Sequence, residues 1–329
     1  MELRDGYGRV ATDLRVSLTD RCSLRCAYCM PAEGLPWIPN PDLLTDDEVL
    51  RLVRVAVERL GITELRLTGG EPLLRPGLVD LVARISRLDP RPHIALTTNG
   101  IGLDHLAHSL ADAGLDRVNI SLDTLDASRF RLMTKRDRLH DVFAGINAAR
   151  SAGLTPVKLN SVLLRDINDD EAVALLEFAL EHGCELRFIE QMPLDPMHGW
   201  SRELLVTGEE ILNALSQRWS ITPDSNVRGG APAECWLVDG GPARVGVIAS
   251  VTAPFCASCD RTRLTADGQI RTCLFARTET DMRRRLRDGA TDEELAQIWA
   301  GAMLGKAAGH GIDDPSFVQP MRPMSAIGG

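Results

Sequence analysis

Between about Leu14 and Glu190 the chain alternates short β-rich runs (LRVSL, ELRLT, HIALTT, RVNIS, VKLNSVLL, ELRFIE) with longer stretches whose apolar residues recur at helical spacing. The pattern predicts helices at 45–60, 78–88, 104–113, 141–152 and 169–182, several opening on Thr or Asp, with Gly61, Gly114, Gly153 and Gly183 where helices stop. Such alternation builds parallel strands joined by crossover helices. Six strands predict an α/β fold, a partial (β/α)6 TIM-type barrel rather than a closed eight-strand one. Its chemistry belongs at the C-terminal strand ends, where TDRCSLRC, GGEP, TNG and SLD follow the first four strands.

Beyond Val206 the pattern changes to a short helix, then AECWLVDGG, ARVGVIASV and RLTADGQIRT, and two helices at 279–287 and 292–304. This predicts a smaller C-terminal α+β subdomain that closes the barrel mouth, with ADGQ as a hairpin turn. The expected division is 1–220 for the barrel and 221–329 for the subdomain, whose end, 313–329, is irregular and Pro-rich.

At 329 residues the chain is long enough for a spacious buried site. Its net charge of -9 gives no general attraction to nucleic acid or an anionic membrane, so an anionic ligand needs a local cluster of cations. The first residues lack a secretory pattern and no apolar run reaches membrane-spanning length, so the expected location is cytoplasmic. Six of the eight cysteines fall into two tight clusters, which in such a setting read as metal sites rather than disulfides.

Cys22, Cys26 and Cys29 follow a C-x3-C-x2-C spacing after the first strand. Three thiolates suit a [4Fe-4S] cube with one iron left open, whereas structural zinc and electron-carrier ferredoxins want four ligands, and no fourth Cys or His follows nearby. With Tyr28 before the third cysteine, the segment resembles the radical SAM superfamily. The resemblance implies that the open iron binds S-adenosylmethionine (SAM), whose reductive cleavage yields methionine and a 5'-deoxyadenosyl radical. It also makes Tyr28, Gly70 of Gly69-Gly70-Glu71-Pro72, Ser121 and Met192 the expected SAM contacts. Taken singly, a Gly pair is a turn and a Ser or Met is a cap or core residue.

Cys256, Cys259 and Cys273 have the spacing C-x2-C-x13-C. A zinc ribbon that drafts Cys235 or His310 as fourth ligand is the rival reading. Against it, Arg261 and Arg263 beside the thiolates suit an anionic ligand better than a structural site.

DxxGR at 5–9, LRVSLTDRCSLRCAYCMP, LRLTGGEPLLR, TTNG, NISLD, VKLN, RFIEQMP, FCASCDRTRLTADGQIRTCLF, GHGI and the final Gly328-Gly329 together resemble the GTP 3',8-cyclase family of molybdenum cofactor biosynthesis over nearly the whole chain. That resemblance implies a second [4Fe-4S] cluster on Cys256, Cys259 and Cys273, with GTP held beside the radical so that hydrogen leaves C3' and C3' joins C8. It assigns Arg15, Arg66, Thr97, Lys158, Arg261, Thr262 and Arg263 to GTP, with Arg187 a further candidate. Catalytic roles fall to Arg15, Arg261, Arg263 and a tail, Gly328 and Gly329, that threads into the site. Singly, each strand cation is more often solvated and a terminal Gly pair more often frayed.

Two positions depart from the family: Asp260 and Ser23 stand where it commonly has Asn. Cys184 and Cys235 are expected in the core, and the seven histidines show no ligand clustering, the pair His105 and His108 included. Implied partners are GTP, a reducing donor such as flavodoxin or ferredoxin, the downstream cyclic pyranopterin monophosphate synthase and, as one option for assembly, a second copy in a homodimer. A peptide-modifying radical SAM maturase and an iron-sulfur electron carrier with a zinc-stabilised tail are the competing functions.

Overall fold

The computed structural model describes residues 1–226 and 228–328. Eight mutually parallel strands form its centre: β1 (Asp13–Ser17), β2 (Glu64–Thr68), β3 (His93–Thr98), β4 (Arg117–Ser121), β5 (Lys158–Val162), β6 (Glu185–Ile189), β7 (Arg244–Ile248) and β8 (Arg261–Leu264). They run in the order β8-β1-β2-β3-β4-β5-β6-β7 within a sheet of twelve strands. Antiparallel strands extend both ends, Gln269–Arg271 and Thr280–Asp281 beyond β8, Glu234–Val238 and Ile221–Pro223 beyond β7. The ADGQ hairpin is present, with Arg263 opposite Arg271 and Leu264 opposite Ile270.

The six expected strands are all there, but β7 and β8, read from sequence as parts of the C-terminal subdomain, join the same sheet at opposite ends of its parallel run. Local pattern cannot show this, because the pairing partners β1 and β8 lie far apart in the chain.

The helices differ from expectation mainly at their ends. Asp46–Leu60 has the capping box of Thr45 and Glu48 and stops at Gly61, whose φ of 76° is easily reached only without a Cβ. Leu78–Ile85 ends three residues early, and 169–171 is a 3-10 turn before Ala172–Glu181. Ala127–Thr134, which the periodicity did not predict, packs beneath the first cysteine loop. The expected irregular tail contains one helical turn, Met324–Ile327.

Each strand alternates strictly. Leu14 and Val16, Leu65 and Leu67, Val118 and Ile120, and Leu186 and Phe188 are buried in the main core on one face. Arg15, Arg66, Asn119 and Arg187 stand on the other, around a cavity of about 330 Å³. Parallel strands buried on both sides are normally apolar throughout. A polar inner face therefore marks a ligand space rather than a core. No helix among the described residues is long and apolar enough to cross a membrane.

Candidate active site

All six clustered cysteines line that one cavity. The first triplet sits on the loop after β1, where Arg25 N–H donates to Thr134 O and Ala27 N–H to Met133 O, each at 2.9 Å. Gly69 and Gly70 seat this loop. A Cβ on Gly69 would stand 2.5 Å from Thr19 O, and one on Gly70 would overlap the carbonyls of Asp20 and Arg21. Gly70 N–H donates to Thr19 O and Glu71 N–H to Arg21 O, each at 2.7 Å. The two glycines thus let the backbone lie against the segment that carries Cys22.

Around the sulfurs, Leu24 N–H donates to Cys22 Sγ at 3.5 Å and Asn99 Nδ2 approaches it at 3.9 Å, while Ser325 N–H donates to Cys29. Burial pushes the Cys26 thiol well up and that of Cys29 to about 12. Thiols so placed become thiolates only against a metal cation. Ser23 replaces the family's Asn yet accepts from Asn99 Nδ2 at 3.0 Å.

Two carboxylates unmarked by the sequence reading hold the strand ends. Glu71 accepts from Leu73 N–H (3.0 Å), Thr98 Oγ1 (2.7 Å) and Asn99 N–H (2.7 Å), tying β2 to β3. Asp123 accepts from Tyr28 O–H at 2.7 Å and Val162 N–H at 2.9 Å, joining the cysteine loop to β5. Both lie in motifs, GGEP and SLD, quoted for other residues. Ser121 and Met192 line the cavity as expected.

The second triplet lines the same cavity. Arg9, of the amino-terminal DxxGR, donates to Cys256 O at 2.6 Å and to the carbonyls of Ala307 and Ala308, and is itself held by Asp5 at 2.5 Å. Lys306, buried, donates to Cys259 Sγ (3.4 Å), Cys259 O (3.2 Å) and Arg261 O (2.8 Å). Burial would raise the Cys259 thiol, but Lys306 and Arg261 outweigh it and hold it below the usual range. Neither Arg9 nor Lys306 stands near a cysteine in sequence.

The candidate fourth zinc ligands do not join this triplet. His310 donates from Nε2 to Ser250 O at 3.0 Å and accepts at Nδ1 from Ile312 N–H at 3.1 Å, the tautomer being set by these partners. Cys235 is half-buried on Glu234–Val238 and does not line the cavity, a correction to its expected place in the core, whereas Cys184 is in the core. Among the described residues no three His, Cys, Asp or Glu side chains are set to hold a single ion.

Arg263, Arg15 and Arg66 occupy one row across β8, β1 and β2, being register partners. Arg261 stands two residues before Arg263 on the same face. Burial lowers all of them in the row: Arg15 below its usual value, Arg66 well below, and Arg263 to about 9. Asp13 is the carboxylate facing them, 3.7 Å from Arg261 and 4.0 Å from Arg15. Burial raises Asp13, but Arg15, Arg66, Arg261 and Arg263 together hold it below the usual range. Nε of Arg15, Arg66 and Arg261 makes no hydrogen bond among the described residues. Buried guanidiniums outnumbering carboxylates are costly unless an anion joins them. Asp260 lies 3.6 Å from Arg261, and burial raises its carboxyl against the pull of that guanidinium.

Thr97 and Arg187 also line the cavity. Two expected GTP residues do not. Lys158 lies at the start of β5, 3.2 Å from Glu185, and does not reach the lining. Thr262 lies between two inward arginines and therefore faces outward, its hydroxyl accepting from Trp299 Nε1 at 3.0 Å. Gly328 reaches the site: Arg263 Nη1 donates to its carbonyl, and it packs against Ser17 and Thr68. Gly329 lies outside the described residues.

A cysteine loop after β1, glycines seating it and a cavity at the strand C-termini with arginines on its wall define a radical SAM enzyme, which uses SAM and an iron-sulfur cluster; residues 16–179 match the Radical SAM superfamily. Residues 184–312 match the family described as Molybdenum Cofactor Synthesis C. The chain is 67% identical over 328 residues to the GTP 3',8-cyclase of Streptomyces coelicolor, covering 99% of this chain and 96% of that protein. It is 59% identical over 331 residues to the Mycolicibacterium smegmatis GTP 3',8-cyclase, covering 99% and 92%. The chain belongs to the GTP 3',8-cyclase family. Streptococcus suis SuiB bound to precursor peptide SuiA shares the fold, with a TM-score of 0.62 at 12% identity over 96% of this chain and 76% of that one.

Proposed function

We propose that this protein converts GTP to 3',8-cyclo-7,8-dihydro-GTP, the first step of molybdenum cofactor biosynthesis, with Cys22, Cys26 and Cys29 holding a [4Fe-4S] cluster that binds SAM. The carrying observation is the joint lining of one cavity by both cysteine triplets and the row Arg263, Arg15 and Arg66. When bound, the reduced cluster and SAM supply a 5'-deoxyadenosyl radical.

This chain's own residues bind, orient and shield. Arg15, Arg66, Arg261 and Arg263 present donors to a polyanion in a desolvated setting, where each charge-assisted bond is strongest. Thr97, Asn119 and Arg187 add polar contacts on neighbouring strands. Ser325 touches Cys29, and Gly328 touches Arg263, so the tail spans from the first triplet to the arginine row and helps exclude water.

A second [4Fe-4S] cluster on Cys256, Cys259 and Cys273 fits the same reading, since Lys306 and Arg261 favour the Cys259 thiolate and His310 has both ring nitrogens engaged. The inner faces of eight strands around one cavity support a sheet curled into a partial barrel. In this reading 1–220 carries the first six strands of that barrel, and 221–329 adds β7, β8 and the segments over its mouth. A cytoplasmic setting, a flavodoxin- or ferredoxin-like donor and a downstream cyclic pyranopterin monophosphate synthase follow from the same function.

The test is anaerobic incubation with SAM, dithionite and GTP, followed by mass spectrometry for 5'-deoxyadenosine and a cyclised nucleotide. SAM cleavage unchanged by GTP, with no nucleotide product, rejects the function. Metal analysis decides the second site: about eight irons per chain supports two cubes, about four with one zinc overturns it.

A further inference from the structure

The first cysteine loop comes within one residue of solvent. Ala27, between Cys26 and Tyr28, is exposed, and its N–H donates to Met133 O at 2.9 Å. The loop thus lies against the end of the helix Ala127–Thr134, where Leu132 is 55% exposed and Lys135 and Arg136 project into solvent. On its other flank the Arg25 guanidinium lies 5.3 Å from the Trp37 ring centroid, and Arg21 Nη2 donates to Asn40 Oδ1 at 3.1 Å.

In a chain of net charge -9, surface cations readily find carboxylates. Nearby, Arg129 pairs with Asp170 and Glu171, Arg131 with Asp137, and Arg138 with Asp141. Among the described residues, four cations around the loop instead bond only neutral oxygens: Arg25 to the carbonyls of Cys22 and Leu24, Lys135 to Leu132 O, Arg136 to Lys135 O, and Arg21 to Asn40. Positive charge without a carboxylate partner is thus gathered beside the loop that carries the first triplet. The small apolar centre with a charged rim matches the modest, electrostatically steered contacts of electron-transfer pairs.

We propose that this face, Ala27 and Leu132 rimmed by Arg21, Arg25, Lys135 and Arg136, docks an acidic protein that delivers low-potential electrons singly. The inference rests on the function proposed above. One electron from the carrier, which is oxidised, breaks the sulfur–C5' bond of SAM, releasing methionine; the adenosyl fragment becomes 5'-deoxyadenosine on taking a substrate hydrogen. A second electron, with a proton from water, closes the shell of the cyclised nucleotide.

The test measures 5'-deoxyadenosine formation by the iron-loaded protein at low ionic strength, driven by reduced flavodoxin as probe or by dithionite. In K135E/R136E the flavodoxin-driven rate should fall about tenfold or more, within the range of electrostatic steering, and its salt dependence should flatten. The dithionite-driven rate should hold. R54E/R87E, two exposed cations elsewhere changed by the same charge, should keep the flavodoxin rate. An unchanged flavodoxin rate in K135E/R136E, an equal fall under both reductants, or an equal fall in R54E/R87E overturns the docking site. No product from the unmodified protein with dithionite would remove the proposed function and this inference together.

Discussion

Arg263 donates from Nη1 to the carbonyl oxygen of Gly328, so the end of the chain closes on the same guanidinium row that faces the cavity. Gly328 has φ of 86°, and a Cβ there would stand 2.9 Å from Thr68 Cγ2 and 3.0 Å from Ser17 Cβ. Deleting Gly328 and Gly329 is expected to abolish cyclisation while iron content stays intact. Gly328→Val should reproduce most of the loss by expelling the tail. Normal nucleotide turnover by the truncated chain would sink this prediction.

Arg66 is the member of the row for which binding and stability should part most clearly. Burial, then Arg15, lowers it well below its usual value, and its Nε makes no hydrogen bond among the described residues. Arg66→Met should leave the metal-free protein as stable or more so, because an apolar chain of similar length replaces an uncompensated charge. The Kd for GTP should rise about tenfold or more, as for a lost charge-assisted bond. Thermal unfolding and calorimetric titration read the two effects; lower stability with unchanged affinity contradicts the assignment.

Glu71 supplies a pH dependence. Burial raises its carboxyl from 4.5 to about 7, against the pull of its three donors. In that window the native state holds more protons than the unfolded one, so stability falls as pH rises from about 4.5 and levels off above about 7. The loss is about 3 kcal/mol. Urea unfolding of metal-free protein across this range should show the slope, and Glu71→Gln should flatten it. An identical slope in the variant assigns the effect elsewhere.

Lys306 reaches both Cys259 and the backbone of Arg261. Lys306→Met should strip the second site before the first, lowering iron from about eight per chain toward about four. Binding of SAM should persist. Iron retained in full after gel filtration under anaerobic conditions would remove Lys306 from the support of that site.

Much of this was legible in sequence because it is local. Cysteine spacing, the Gly69-Gly70 pair and strand period are set within a few residues, and the structure gathers all six clustered cysteines, Arg15, Arg66, Arg261 and Arg263 on one cavity. The Thr262 side chain points away from the cavity, as period two alone requires of a residue between two inward arginines. Lys158 faces the same way as Asn160, but its place at the start of β5 leaves it below the cavity, with Glu185.

By itself the sequence determined the elements, the metal-binding residue types and their grouping, since hydrophobic period and ligand spacing act over short stretches of chain. Only the tertiary structure decided that β7 and β8 flank the same parallel sheet, that Arg9 and Lys306 brace the second triplet, and that Ser325 stands against Cys29. These contacts join residues as much as 299 positions apart. Their partners are chosen by burial and charge balance within the assembled fold, where an unpaired buried group is costly, and no local pattern carries that requirement.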